Sequence, residues 1–190
     1  MDRLHSHLPP NLPPPRRHSR PTRPVILETE RLRLVPLGPE HAVDLWSVYS
    51  DPEVARYVGG ESLTPESTRE QTERWARAWD ERGHSQSAVI WRETGELLGR
   101  IGLSFWPEWN ETELGYALSR AAQGRGIAQE GARAWIDWAT TNLADDHLIA
   151  VINPHNTPST RLAERLGFTP DRPETVRDVE VVIHRLTFPR

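Results

Sequence analysis

"ETELGYALSRAAQGRGIAQEGARAWIDWATTNL", residues 111–143, passes from a strand through a glycine-rich turn into a helix. "ETELGYALS" reads as a strand. Beyond Gly126, the residues Ala128, Ala132, Trp135, Ala139 and Leu143 recur at helical spacing and make one apolar stripe. Between the two, Gly124 and Gly126 let the backbone take positive φ and approach a ligand closely. Free amides at a helix start attract anions, and Arg125 adds a permanent charge with several donors. The combination suits a diphosphate. It also suits a plain strand-to-helix turn, and the turn alone does not separate the two. Two common phosphate patterns are excluded. The third glycine of a dinucleotide-binding turn would fall at Gln129, and there is no lysine to complete a phosphate loop.

The flanking residues supply the rest of a sheet. Before the turn, "VILETERLRLVPL" (25–37) alternates at Leu32 and Leu34 and predicts a strand. Pro39 opens a helix with Ala42, Leu45, Trp46 and Tyr49 on one face, ending before Asp51-Pro52. Thr64 caps a second helix with Pro65 at its first position. That helix presents Trp75 and Trp79 one turn apart and stops at Gly83. "QSAVIWRE", the Thr94-Gly95 turn and "ELLGRIGLSFW" make a hairpin. After the long helix, "HLIAVIN" (147–153) is apolar throughout, as a central strand is. Thr157-Pro158 opens a last helix that Gly167 ends, and "DVEVVIHRLTF" (178–188) closes the sheet. The predicted order is β-α-α-β-β-β-α-β-α-β, an α/β fold around one mixed sheet.

Composition narrows the function. A chain of 190 residues suggests one domain, here 25–190. Residues 1–24 hold seven of the 17 prolines and read as a basic, disordered or extended arm. The absence of cysteine rules out disulfides and thiolate metal sites. All 23 basic residues are arginine, which removes lysine Schiff-base chemistry. His147, His155 and His184 are scattered without a helical metal-binding pair, so no metal is expected. No apolar run reaches membrane length and the N-terminus lacks a signal core, which points to a cytoplasmic protein without membrane contact. In the arm, five arginines against one aspartate give +4, so the net −4 leaves −8 on residues 25–190. Such a body disfavours nucleic acid and favours cationic acceptors.

"VINPHNTPSTRLAERLGF" (151–168) places Asn156 three residues before Ser159 and eleven before Gly167. Together with Gln123-Gly-Arg-Gly126-Ile-Ala128, this resembles the GNAT superfamily of acetyl-CoA-dependent N-acetyltransferases, whose phosphate signature is Q/R-x-x-G-x-G/A. Serine three after the asparagine, with "ETERLRLVPL", "SDPEVARYVGG" and "ELGYAL", is similar to the Rim-type ribosomal-protein N-terminal (alanine/serine) acetyltransferases. The resemblance covers roughly residues 26–188 in the right order.

It implies a mixed central sheet flanked by helices, with a splayed strand pair that takes the pantetheine arm of acetyl-CoA like an added strand. By this resemblance the Leu118 N–H meets the acetyl carbonyl. Leu118, Ser119, Gln123, Gly124, Arg125, Gly126, Ile127 and Ala128 line the CoA path. Asn156 holds the pantetheine arm, or caps its helix, or both. Glu113 is the candidate base, with Asp178 and Glu180 as alternatives and water as a further one. Many family members carry tyrosine seven residues after the asparagine to protonate the leaving thiolate. Here that position is Ala163, and Ser159 is left to act as acid, to relay a proton or to orient. Trp106, Trp109 and Glu113 are the acceptor-side candidates, while Trp75 and Trp79 suit core packing. The expected acceptor is the α-amino group of a protein or peptide. A small amine (antibiotic, polyamine or amino acid) and an acyl-CoA-binding module without turnover remain open, as does a homodimer.

Overall fold

The computed structural model describes residues 25–59 and 62–189, so the arm read at 1–24 lies outside it. The chain runs β1 (Leu27–Glu28), β2 (Leu32–Pro36), α1 (Ala42–Tyr49), α2 (Pro52–Ala55), α3 (Pro65–Arg82), β3 (Gln86–Trp91) and β4 (Leu97–Trp106). It continues through β5 (Glu111–Leu118), α4 (Ile127–Asn142), β6 (His147–Ile152), α5 (Thr157–Leu166), β7 (Thr169–Val176) and β8 (Val179–Thr187). Short 3₁₀ turns lie at Pro39–His41 and Arg120–Ala122. The strands form one sheet in the order β1-β2-β3-β4-β5-β6-β8-β7. Its one parallel contact among the described residues joins β5 to β6.

The local signals act as their chemistry dictates. Thr64 accepts the Ser67 N–H and starts α3, while Gly83 ends it at φ 76°. Asn156 accepts the Ser159 N–H and starts α5, which Gly167 ends at φ 94°. Alternation along β5 sorts its side chains between two cores. Leu114 and Leu118 pack with Ile127, Ala132 and Trp135 of α4. Ala117 packs on the other face with Leu45, Val48 and Tyr49 of α1. Trp135, fully buried, meets Trp79 of α3 at 5.9 Å between ring centroids, so α3 and α4 share one core.

Three expectations change. The first predicted strand is two, because the chain turns at Thr29, whose N–H bonds to the Leu32 carbonyl. Asp51-Pro52 ends α1 but also starts α2, with the Asp51 carboxylate accepting the Glu53 N–H. Finally, "DVEVVIHRLTF" does not close the sheet. β8 lies between β6 and an additional strand, β7, which the reading missed because Pro170 and Pro173 interrupt its pattern. An edge strand tolerates proline, since one side of its ladder needs no donors.

One end of this sheet is pinned by charge. Glu111, the first residue of β5, is buried and accepts from Arg172 of β7 and from Arg185 of β8 at 2.6 Å, with His147 of β6 at 3.1 Å. Burial pushes the Glu111 carboxyl up, but the hydrogen bonds from Arg172 and His147 and the two arginine charges outweigh it, so it stays below the usual range. Its stabilising contribution is therefore fully present above the unfolded carboxylate pKa of about 4.3 and is lost as pH falls through the lower folded value. Glu111→Gln is expected to cost about 1.5–3 kcal/mol at neutral pH, as for hydrogen bonds to charged groups. In urea melts the gap to wild type should stay constant from pH 7 to 5 and shrink below about 4. A gap that is independent of pH would remove the charge from the account of this cluster.

Candidate active site

β5 and β6 touch at a single register position, Glu113 opposite Ile149, and then diverge. Each has another partner to follow. β5 pairs with β4 over its whole length, and β6 pairs with β8 from His147 to Ile152. The divergence opens a pocket of about 130 Å³ whose walls include Glu113, Gly115 and Tyr116 of β5, Val151 and Ile152 of β6, and Asn156 and Ser159 of α5. Leu118, at the end of β5, lies past this lining. Ser119 N–H donates to the Leu98 carbonyl on β4, so by the alternation of an antiparallel ladder the Leu118 N–H points the other way, toward the β6 side.

The two faces of the split carry different chemistry. On the α1 face stands Glu113, half-buried, with Trp106 Nε1 donating to its Oε2 at 2.7 Å. Burial pushes this carboxyl above the ordinary range, against the Trp106 bond, the nearby Arg100 charge and the Val151 N–H. Trp106 is stacked on Trp109 at 4.7 Å, and the Arg172 guanidinium lies 5.7 Å from the Trp109 ring centroid. On the α4 face stands Tyr116, which lines the pocket together with Ser159 of α5. Burial raises the Tyr116 phenol, while Ser159 and the Arg165 charge lower it in part. Tyr57, which follows α2, reaches across to donate to the His155 carbonyl at 3.3 Å and also lines the pocket.

The glycine-rich turn lies beyond these walls. Gly124 and Gly126 have φ 70° and 75°, and Gly126 caps α4. A Cβ on Gly124 would meet nothing within 4 Å, so its backbone faces open space. Glu130 N–H is the first to bond back, to the Gly126 carbonyl at 3.0 Å, which leaves the N–H groups of Ile127, Ala128 and Gln129 without helical partners. Gln123 Nε2 donates to the Leu118 carbonyl at 3.1 Å and ties the turn to the end of β5. The Arg125 guanidinium lies 5.0 Å from the Trp91 ring centroid. Arg31 braces the turn from below, donating to the Arg125 carbonyl at 3.0 Å and pairing with Glu130 at 2.6 Å.

The structure thus gathers Glu113, Asn156 and Ser159 in one pocket and leaves the 123–128 turn as a neighbouring cradle. Asn156 uses Oδ1 to cap α5 at 3.3 Å, and its Nδ2 has no hydrogen-bond partner among the described residues. Asp178 and Glu180 stand exposed at the β7–β8 hairpin and do not line the pocket. Trp106 ends β4 and Trp109 sits in the turn after it, both half-buried. Arg100, Tyr116 and Tyr57 are among the pocket residues that escaped the sequence reading. An arginine inside the apolar run "LLGRIGLSF" was the signal available for the first.

Residues 31–169 match the family model described as "Acetyltransferase (GNAT) domain". A protein of Bacillus licheniformis named "Uncharacterized N-acetyltransferase p20" is 32% identical over 162 residues, covering 84% of this chain and 90% of that one. Among solved structures, an acetyltransferase from Agrobacterium tumefaciens str. C58 is 32% identical with a TM-score of 0.75, covering 90% of this chain and 98% of its own. A ribosomal-protein-S5-alanine acetyltransferase from Vibrio fischeri shares the fold at TM-score 0.71 and 17% identity, covering 86% and 96%. The chain belongs to the GNAT acetyltransferases. It is an acyltransferase, and the split between β5 and β6 is its candidate active site.

The Trp106–Glu113 bond can be tested without turnover. Trp106→Phe keeps a ring to stack on Trp109 but removes the N–H donor. The Glu113 carboxyl is then expected to titrate at higher pH than in wild type, followed by carboxyl ¹³C shifts. An unmoved titration would show that the indole does not hold the carboxylate.

Proposed function

We propose that this protein transfers the acetyl group of acetyl-CoA to the α-amino group of a protein or peptide. The observation that carries the reading is the split itself, with a carboxylate on one face and a hydroxyl pair on the other. An acyl transfer needs both: the attacking amine must lose a proton, and the departing thiolate must gain one. Glu113 takes the proton from the amine nitrogen on the α1 face. Ser159, backed by the Tyr116 hydroxyl, gives one to the sulfur on the α4 face. Tyr116 thereby offers a phenol from the opposite wall, where Ala163 on α5 supplies none. The Leu118 N–H receives the carbonyl oxygen as negative charge develops on it.

The residues fit the donor. Acetyl-CoA supplies an acyl thioester with a good leaving group, an amide-bearing arm and a diphosphate. The unpaired edges of β5 and β6 can hydrogen-bond such an arm as a strand would. Asn156 Nδ2 is an additional donor toward it. The free N–H groups of 127–129 and the left-handed Gly124 and Gly126 form an anion cradle at a helix N-terminus. Arg125 adds charge there. Ser119 and Gln123 position the turn. Trp106 and Trp109 form the acceptor wall and orient the base. The −8 of residues 25–190 draws a cationic acceptor toward this face.

Because a base works only when deprotonated, and burial raises Glu113, kcat should rise with pH through the titration of this carboxyl. Glu113→Gln is expected to lower kcat by about 10²-fold, within the usual range for a general base. Its residual activity should follow the amine's own ionisation near pH 8. Ser159→Ala should lower kcat with acetyl-CoA affinity retained. Thiol release from acetyl-CoA with a peptide acceptor reads both. Wild-type kcat in Glu113→Gln would hand the proton to solvent, and acetyl-CoA binding with no thiol release to any amine would reduce the protein to a binding module.

A further inference from the structure

Arg100 has no part in the proton transfers, yet it lines the same pocket. It lies on β4 opposite Ala117 and faces α1. Its guanidinium is held from three sides. Nε donates to the Tyr49 hydroxyl, Nη1 donates to Gln86 Oε1 at 2.9 Å, and the Trp75 ring centroid is 5.0 Å from Cζ. That uses two of the five N–H groups a guanidinium carries. Among the described residues it has no ion pair with a carboxylate. Glu113 feels its charge but is not bonded to it. A half-buried cation with unused donors is unfavourable unless something polar completes it.

The space between Arg100 and Glu113 lies over Gly115. A Cβ on Gly115 would stand 3.3 Å from Glu113 Oε1 and 3.7 Å from Arg100 Nη1. Only a hydrogen occupies that place, so a carboxylate and a guanidinium flank one cradle about a residue wide. An amine at Glu113 therefore has a cationic donor a few bonds away.

Resting on the acetyltransferase reading, we propose that Arg100 receives a carbonyl or carboxylate oxygen of the acceptor, so that the site selects an α-aminoacyl group: an amine with an oxygen acceptor on the next carbon but one. Glu113 takes the amine and Arg100 takes the oxygen, with the connecting carbons over Gly115. A peptide N-terminus and a free amino acid both present this group, whereas a polyamine or a simple alkylamine does not. A site built to hydrogen-bond a group discriminates strongly against analogues lacking it, because its own donors are then left unpaired.

The test compares alaninamide, alanine and isopropylamine as acceptors, in wild type and in Arg100→Gln and Arg100→Lys, by thiol release from acetyl-CoA. Removing Arg100 also alters the field at Glu113, but that acts on every amine alike, and differences in amine pKa cancel between variants. The ratio of kcat/KM for alaninamide over isopropylamine is therefore the readout. It is expected to fall about tenfold or more in Arg100→Gln and less in Arg100→Lys, which keeps the charge but not the fork. Alaninamide above alanine identifies a peptide N-terminus, and alanine above alaninamide identifies a free amino acid; either order supports the proposal. Product inhibition of wild type gives a second route that needs no variant. N-acetylalaninamide or N-acetylalanine should inhibit about tenfold more tightly than N-isopropylacetamide. An unchanged ratio in a folded Arg100→Gln, or equal inhibition by the three amides, overturns the proposal while leaving the acetyltransferase reading intact. Thiol release to none of the amines overturns both.

Discussion

The site depends on one backbone constraint: β5 and β6 pair at Glu113 and Ile149 and nowhere further along. Each strand is committed elsewhere, β5 to β4 and β6 to β8. The opposite end is kept closed by Glu111, which binds side chains from β6, β7 and β8 at once. The sheet is thus clamped at one end and open at the other. Open strand edges leave backbone donors and acceptors unsatisfied, and a buried one costs about 1–3 kcal/mol. A ligand that is itself strand-like offsets that cost.

The same split explains the arrangement of charge. Because alternate residues of β5 point to opposite faces, Glu113 and Gly115 stand on the α1 side and Tyr116 on the α4 side, three residues of one strand serving two mouths of one pocket. Burial lifts the Glu113 carboxyl above its ordinary range. The indole of Trp106 and the Arg100 guanidinium keep that lift from going to completion. A carboxylate so placed is costly for stability and useful for chemistry, as is usual for groups in reactive clefts.

Much of this was legible in the sequence because the informative residues act locally. Thr64, Gly83, Asn156 and Gly167 set helix ends through their own hydrogen bonds or φ angles, and Gly124 and Gly126 mark the turn in the same way. Glu113 and Ser159 were reached through a family resemblance, and the fold then placed them in one pocket. What the sequence hid was long-range. Arg100 and Glu113 are thirteen positions apart and meet only through the β4–β5 register. Tyr116 looked like one more apolar strand residue until α5 brought Ser159 into the same pocket. β7 was hidden by its two prolines, which report an edge only once the sheet order is known.

The most direct test of the split as the donor site is amide hydrogen exchange by NMR with and without CoA. The N–H groups of Tyr116 and Leu118 alternate toward the β6 side, where that strand has already turned away. If the pantetheine arm adds as a strand, both amides should exchange about tenfold more slowly or better at saturating CoA, while amides that already bond to β4, such as Ser119, change little. Exchange at Tyr116 and Leu118 that is unaffected by bound CoA would contradict the placement of the donor between β5 and β6.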